Sequence, residues 1–111
     1  MKKTRALVFA VLAVTLTACG VMRVGRDFDL RAFQSSVALD KSTQTQVRAL
    51  LGAPASTGAV VETGGERYEQ WTYYYGEARL PNGADPIFKM LQLKFDRQGI
   101  LRGYNWSGET K

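Results

Sequence analysis

Cysteine, histidine and paired carboxylates are the side chains from which most protein chemistry is built. This chain has one cysteine, Cys19, and no histidine among its 111 residues. The lack of histidine removes Ser-His-Asp and Cys-His nucleophilic sites and the commonest transition-metal ligand. A lone thiol cannot form a zinc cluster. Ten acidic residues leave carboxylate pairs as the remaining acid–base device. Asp27 and Asp29 are close in sequence but fall in a stretch that reads as tether or arm. Asp96 falls in a hairpin turn, where Asp serves local hydrogen bonding. Gly64-Gly65 lacks the following helix and the Lys-Ser/Thr of a phosphate loop. The expectation is therefore no catalytic residue, no metal and no cofactor. An enzyme would have to work with a Ser/Lys or carboxylate site.

What Cys19 can do is set by what precedes it. Met1-Lys2-Lys3-Thr4-Arg5 is a charged start, residues 6–15 are nearly all apolar, and Leu16-Thr17-Ala18-Cys19 ends on small residues. That order predicts a secretory signal peptide. The apolar run is shorter than the ~20 residues a bilayer-spanning helix needs. The segment ending at Cys19 resembles a lipobox, the signature of bacterial lipoproteins. The resemblance implies diacylglyceryl transfer to the Cys19 thiol, cleavage between Ala18 and Cys19, and acylation of the new terminus. It also implies a destination. Gly20 stands where an Asp typically retains lipoproteins at the inner membrane, so the expected place is the outer membrane, periplasmic face. Two anchoring signals already make a membrane hold stable, so a triply acylated Cys19 would hold the domain there permanently. With its only thiol acylated, the mature chain has no disulfide to form in an oxidising compartment, and the fold must stand on its core.

Without residues 1–18, 93 residues remain. The predicted division is a lipidated tether over residues 19–26, one small domain over 27–106 and a tail over 107–111. The formal charge of +5 falls to +2 once Lys2, Lys3 and Arg5 leave with the signal. The remaining basic residues are scattered, which argues against a nucleic-acid partner.

Residues 25–40 mix helical and strand spacing through Phe28, Leu30, Phe33, Val37 and Leu39, and read equally as short helix or extended arm. Residues 43–51 are the clearest helix. Thr43 and Gln46 make a capping box, Val47, Leu50 and Leu51 share one stripe, and Gly52 and Pro54 end it. A short strand over 59–63 and the Gly64-Gly65 turn lead into the aromatic strand 67–75. Alternation there places Trp71, Tyr73 and Tyr75 on one face and Gln70, Thr72 and Tyr74 on the other. A loop is expected over 76–86, a strand over 87–95 with Leu91, Leu93 and Phe95 inward, a turn at 96–99, and a last strand over 100–106. The inward residues of that last strand are either Leu101 or the set Ile100, Tyr104 and Trp106, depending on a bulge after Gly99. The fold class expected is α+β, with one or two short helices on a three- to four-stranded antiparallel sheet.

Three blocks in order, Ser42-Thr43 through Val47 and Leu50-Leu51-Gly52-Ala53-Pro54, then Glu69-Gln70-Trp71-Thr72-Tyr73-Tyr74-Tyr75, then residues 91–101, stand behind the lipobox. Together they resemble the SmpA/OmlA (BamE-like) family of small outer-membrane lipoproteins over residues 40–105. The resemblance implies a BamE-like fold and an accessory role in β-barrel assembly, with barrel-assembly subunits as partners. Two departures stand out. The family usually has Gly ahead of the helix-starting Thr where this chain has Asp40. Nothing between Gly20 and Leu39 matches the Arg-Pro-Asp-Ile-type segment that the assembly subunit carries.

The expected activity is contact with an envelope protein partner rather than catalysis. Tyr74, on the face away from the helices, and Arg97 and Arg102, near the last turn, are the candidate partner surface. Trp71 and Tyr73 are expected in the core. Helix-plus-sheet folds of this kind also resemble the repeat unit of a secreted β-lactamase inhibitor. That makes a periplasmic ligand-binding or enzyme-inhibitor module the alternative.

Overall fold

The computed structural model describes residues 20–108. The signal segment, Ala18 and Cys19 lie outside the described residues. The order of elements is β1 (Val21–Gly25), α1 (Leu30–Ser36), α2 (Gln44–Leu51), β2 (Ser56–Val61), β3 (Arg67–Arg79), β4 (Ala84–Phe95) and β5 (Leu101–Gly108). Two helices pack on one antiparallel sheet of order β1-β3-β4-β5, and β2 lies on the same edge of β3 as β1. The class is α+β as expected, with five strands in place of three or four.

Local chemistry explains both helices. Asp29 caps α1 by accepting from the Ala32 amide at 2.9 Å, and Leu30 and Phe33 are buried beneath it. This resolves residues 25–40 in favour of a helix, preceded by a short extended stretch. The Thr43/Gln46 capping box on α2 is complete. Of its expected stripe Val47 is buried, Leu51 is half-buried and Leu50 is exposed. Leu50 instead lines a groove between the helices with Phe33 and Val37. Asp40 adopts a left-handed φ of 64°, so the turn ahead of α2 keeps a conformation suited to Gly. Asp is among the few other residues that tolerate it.

The core is formed by Phe28, Leu30, Phe33 and Val47 from the helical layer against Trp71, Tyr73, Leu91, Leu93, Phe95 and Leu101. Fully burying an apolar side chain of this size contributes about 1.5–3 kcal/mol. Trp71 meets Phe95 at 4.9 Å between centroids, and the Arg48 guanidinium sits over the Trp71 ring at 5.4 Å. Of the two expected inward sets Leu101 is the buried one; Tyr104 and Trp106 share its face but stay 37 % and 46 % exposed. Phe95 faces Leu101, but Lys94 faces Gly103, so the register shifts there and Arg102 is the extra residue of a bulge. Beyond it Tyr104 faces Leu93 and Trp106 faces Leu91, which returns both aromatics to the helix side. Phe33 contacts Tyr104 edge-on at 5.1 Å.

Three expected boundaries are corrected. Residues 21–25 are not tether but strand β1, in register from Val21↔Arg79 to Gly25↔Tyr75. No side chain of β1 is buried, so it had no hydrophobic period to betray it. The expected loop over 76–86 is mostly strand: β3 runs to Arg79 and β4 resumes at Ala84. The tail begins later than 107, because β5 runs to Gly108. The ordered domain therefore exceeds the predicted 27–106 at both ends.

Candidate functional site

The carboxylates considered for chemistry have structural partners. Asp29 is the α1 cap. Asp27 accepts from the Lys89 ammonium at 2.7 Å. Lys89 projects from β4 on the helix side, opposite Tyr75, and only 6 % of it is exposed. Its ammonium also donates to the Phe28 carbonyl and lies 5.1 Å from the Phe28 ring centroid. One buried cation thus fastens the connection between β1 and α1 onto the sheet. The sequence carried a faint sign of this, a single Lys inside the apolar run from Ile87 to Leu91, but its partner lies about sixty positions away.

Asp96 organises the β4–β5 turn. Its Oδ1 accepts from the amides of Gln98 and Ile100 at 2.9 and 3.0 Å, and its Oδ2 accepts from Arg102 Nε at 2.8 Å. The Ile100 amide first, then Arg102 and Gln98, hold the Asp96 carboxyl below the usual 3.8 against some desolvation. Arg102 Nη1 reaches Asp40 at 2.7 Å. Hydrogen bonds to Asp40 and then Asp96 raise the Arg102 pKa further. The bulge that aims Arg102 outward therefore makes it a latch between the turn before α2 and the turn before β5. Backbone bonds support that latch: Asp40 N–H donates to the Leu101 carbonyl, and Leu101 N–H to the Ser42 carbonyl. Arg97 forms no ion pair among the described residues. It shares with Arg102, Arg67 and Tyr68 a shallow groove of about 460 Å³.

Tyr74 stands elsewhere. It lies on the outer face opposite Met90, and the Glu69↔Phe95 pairing puts it five residues from the level of the last turn. At ~3.3 Å per residue that is about 17 Å along the strand. The predicted surface is thus two places, with Arg97 and Arg102 at one end and Tyr74 towards the other. β2 pairs with β3 as far as Thr72 and β1 pairs from Tyr75, so Tyr73 and Tyr74 fall at the gap between two strands. A cleft of about 320 Å³ opens there, lined by Gly25, Arg26, Phe28, Pro54 and both tyrosines. Tyr73 is buried, donates to the Gly52 carbonyl at 2.8 Å, and has its pKa pushed up to about 12 by burial. Gly25 closes the cleft with a φ of 74°, where any Cβ would lie 2.3 Å from the Tyr74 carbonyl oxygen.

A third surface was missed by the sequence reading. The far end of the β3–β4 hairpin, with β1 beside it, extends beyond the helices. Val21, Met22, Val24, Leu80, Ile87 and Phe88 are there, each at least 40 % exposed. Val24 and Phe88 flank Gly76, which leaves room for both: a Cβ on Gly76 would lie 3.1 Å from Val24 and 3.5 Å from Phe88. The Leu80 amide donates to the Gly20 carbonyl at 2.7 Å, which ties the residue after Cys19 to the hairpin tip.

Among the described residues no group of three or more His, Cys, Asp or Glu side chains is placed to hold a metal ion. No helix among them is long and apolar enough to cross a membrane. Every buried side-chain polar atom among them has a hydrogen-bond partner. Comparison with family models, with curated proteins and with solved structures returned no match to this chain.

Proposed function

We propose that this chain is an outer-membrane lipoprotein, anchored through acylated Cys19, whose periplasmic domain acts by contact in maintaining the cell envelope. The observation that carries the reading is the junction. The Leu16-Thr17-Ala18-Cys19 motif is followed, after Gly20 alone, by a strand of the folded domain. The anchor is thus joined directly to the sheet. The titratable groups support a contact role: Asp27, Asp29, Asp96, Lys89 and Arg102 are all engaged in holding the fold.

The SmpA/OmlA-like order of helix, aromatic strand and closing hairpin supports a barrel-assembly partner as the specific version. Pull-down of the acylated protein from solubilised envelopes tests it. Recovery of barrel-assembly subunits is expected. Reproducible recovery of none would remove the assembly role.

The cleft beside Tyr74 favours a second reading, a periplasmic ligand-binding or inhibitor module. That reading predicts capture of a soluble enzyme or ligand, weakened by Tyr74→Ala. Unchanged capture in that variant would refute it.

A further inference from the structure

We infer that the three-stranded tip formed by β1 and the far end of the β3–β4 hairpin is inserted into the phospholipid interface beside the anchor. The inference rests on the acylation of Cys19 proposed above.

The first argument is position. Consecutive α-carbons are about 3.8 Å apart, so Cys19 cannot stand far from Gly20. Gly20 is itself hydrogen-bonded to Leu80 at the tip. Acyl chains on Cys19 must therefore enter the bilayer next to this hairpin end.

The second argument is composition. The helix-covered core stops at the level of Tyr75 and Lys89. β3 continues through residues 76–79, about 13 Å at ~3.3 Å per residue. Over that length neither of the described helices adds a residue to the buried core. Met22, Val24 and Phe88 project from the outer face, Val21 and Ile87 from the other, and Leu80 stands at the turn. Clustered exposed apolar groups of this kind mark an interaction site. Their distribution selects the occupant. A protein docking on one face would leave the other face's apolar groups in water, whereas lipid surrounds both. Interfacial apolar elements enter the headgroup/acyl boundary by about 5–10 Å, a depth the exposed tip can supply.

The third argument is charge. The charged residues of the tip are paired, Arg23 with Glu77 at 3.6 Å and Arg79 with Asp85 at 3.9 Å, which sums to zero. The contact is therefore apolar and indifferent to headgroup charge. It also sets an orientation. The β4–β5 turn lies at the opposite end of the 12-residue β4, about 40 Å away, so it points into the aqueous space.

Fluorescence quenching tests this on the full acylated protein. With Cys19 acylated, Leu80→Cys and Gln98→Cys each introduce a single free thiol for an environment-sensitive dye. Each labelled protein is placed in phosphatidylethanolamine vesicles, with or without phosphatidylglycerol, containing lipid with a doxyl group high on the acyl chain. The dye at position 80 is expected to lose about half or more of its emission at either lipid charge and at low or high salt, and the dye at 98 almost none. Equal emission at the two positions would overturn the inference, as would quenching at 80 that requires phosphatidylglycerol. So would a blue shift at 80 that depends on protein density and not on quencher, which would identify a second copy as the occupant. The mass of the N-terminal peptide from the same sample keeps the two readings apart. An acylated Cys19 with an unquenched tip refutes only the insertion, whereas an unacylated Cys19 refutes both.

Discussion

Gly25→Ala probes the link between the anchor and the body. Gly25 ends β1 at a φ of 74°, and an added Cβ would stand 2.3 Å from the Tyr74 carbonyl oxygen and 2.6 Å from its ring. An L-residue in this region costs roughly 1–2 kcal/mol, and the overlap with backbone oxygen forces a further shift. A total of about 3 kcal/mol is reasonable, within the 1–3 kcal/mol typical of such strained sites. The question is where the strain is released. A domain of this size is stable by about 4–13 kcal/mol, at 0.05–0.15 kcal/mol per residue. β1 buries no side chain. Its pairing rests on a few hydrogen bonds worth about 0.5–1.5 kcal/mol each, nearly cancelled by ~1–2 kcal/mol of backbone entropy per residue. Peeling β1 away therefore costs less than unfolding the core, and the strand should open first. Amide hydrogen exchange measures this directly. At 1.4 kcal/mol per tenfold, about 3 kcal/mol can remove up to about 100-fold protection. The amides of β1 should therefore fall to the exchange rate of unstructured chain whatever protection they have in the parent, while those of Leu91 and Leu93 stay as in the parent. Unchanged protection in β1, or an equal loss in the core, would refute the reasoning.

Phe33→Ala should cost about 3–5 kcal/mol, because it empties a fully buried site and removes the edge contact with Tyr104; the urea midpoint reads this. Asp96 has a depressed folded-state pKa, so its contribution is complete above the unfolded value near 3.8 and disappears as pH falls through the lower folded value. The stability gap between the parent and Asp96→Asn should therefore be constant at neutral pH and shrink below about pH 4; a gap that ignores acid would contradict the turn network. Tyr73 has a raised folded-state pKa of about 12, so the stability it brings is full below 10 and is lost as pH rises from there towards 12. Tyr73→Phe should cost about 1 kcal/mol at neutral pH by leaving the Gly52 carbonyl without its donor, and should flatten the alkaline limb of the unfolding curve.

Elements whose signals are local were legible from the sequence. The Thr43/Gln46 box, Gly52 and the alternation of Trp71 with Tyr73 and Leu91 with Leu93 lie within a few residues of what they determine. Elements defined by distant partners were not. β1 is a strand because Arg79 to Tyr75 lie beside it, and its own side chains face solvent. Residues 76–79 carry a Gly yet pair because β1 flanks them on one side, and the hairpin continues on the other as far as Arg79↔Ala84, with Asp85 and Pro86 taken up in a register shift. The bulge at Arg102 depends on Asp40 and Asp96 arriving from two other turns. The candidate surface divided for the same reason: Tyr74, Arg97 and Arg102 were grouped by residue type, and only the strand register shows that Tyr74 lies apart and Arg102 is engaged.

The measurement closest to the central claim is the mass of the mature N-terminus, taken on protein expressed in a double-membraned bacterium and extracted from the outer-membrane fraction. The account predicts a chain beginning at Cys19, without residues 1–18, carrying a diacylglyceryl group on sulfur and an acyl group on nitrogen. A chain that retains Met1 to Ala18, begins at another residue, or presents a free Cys19 thiol would contradict it.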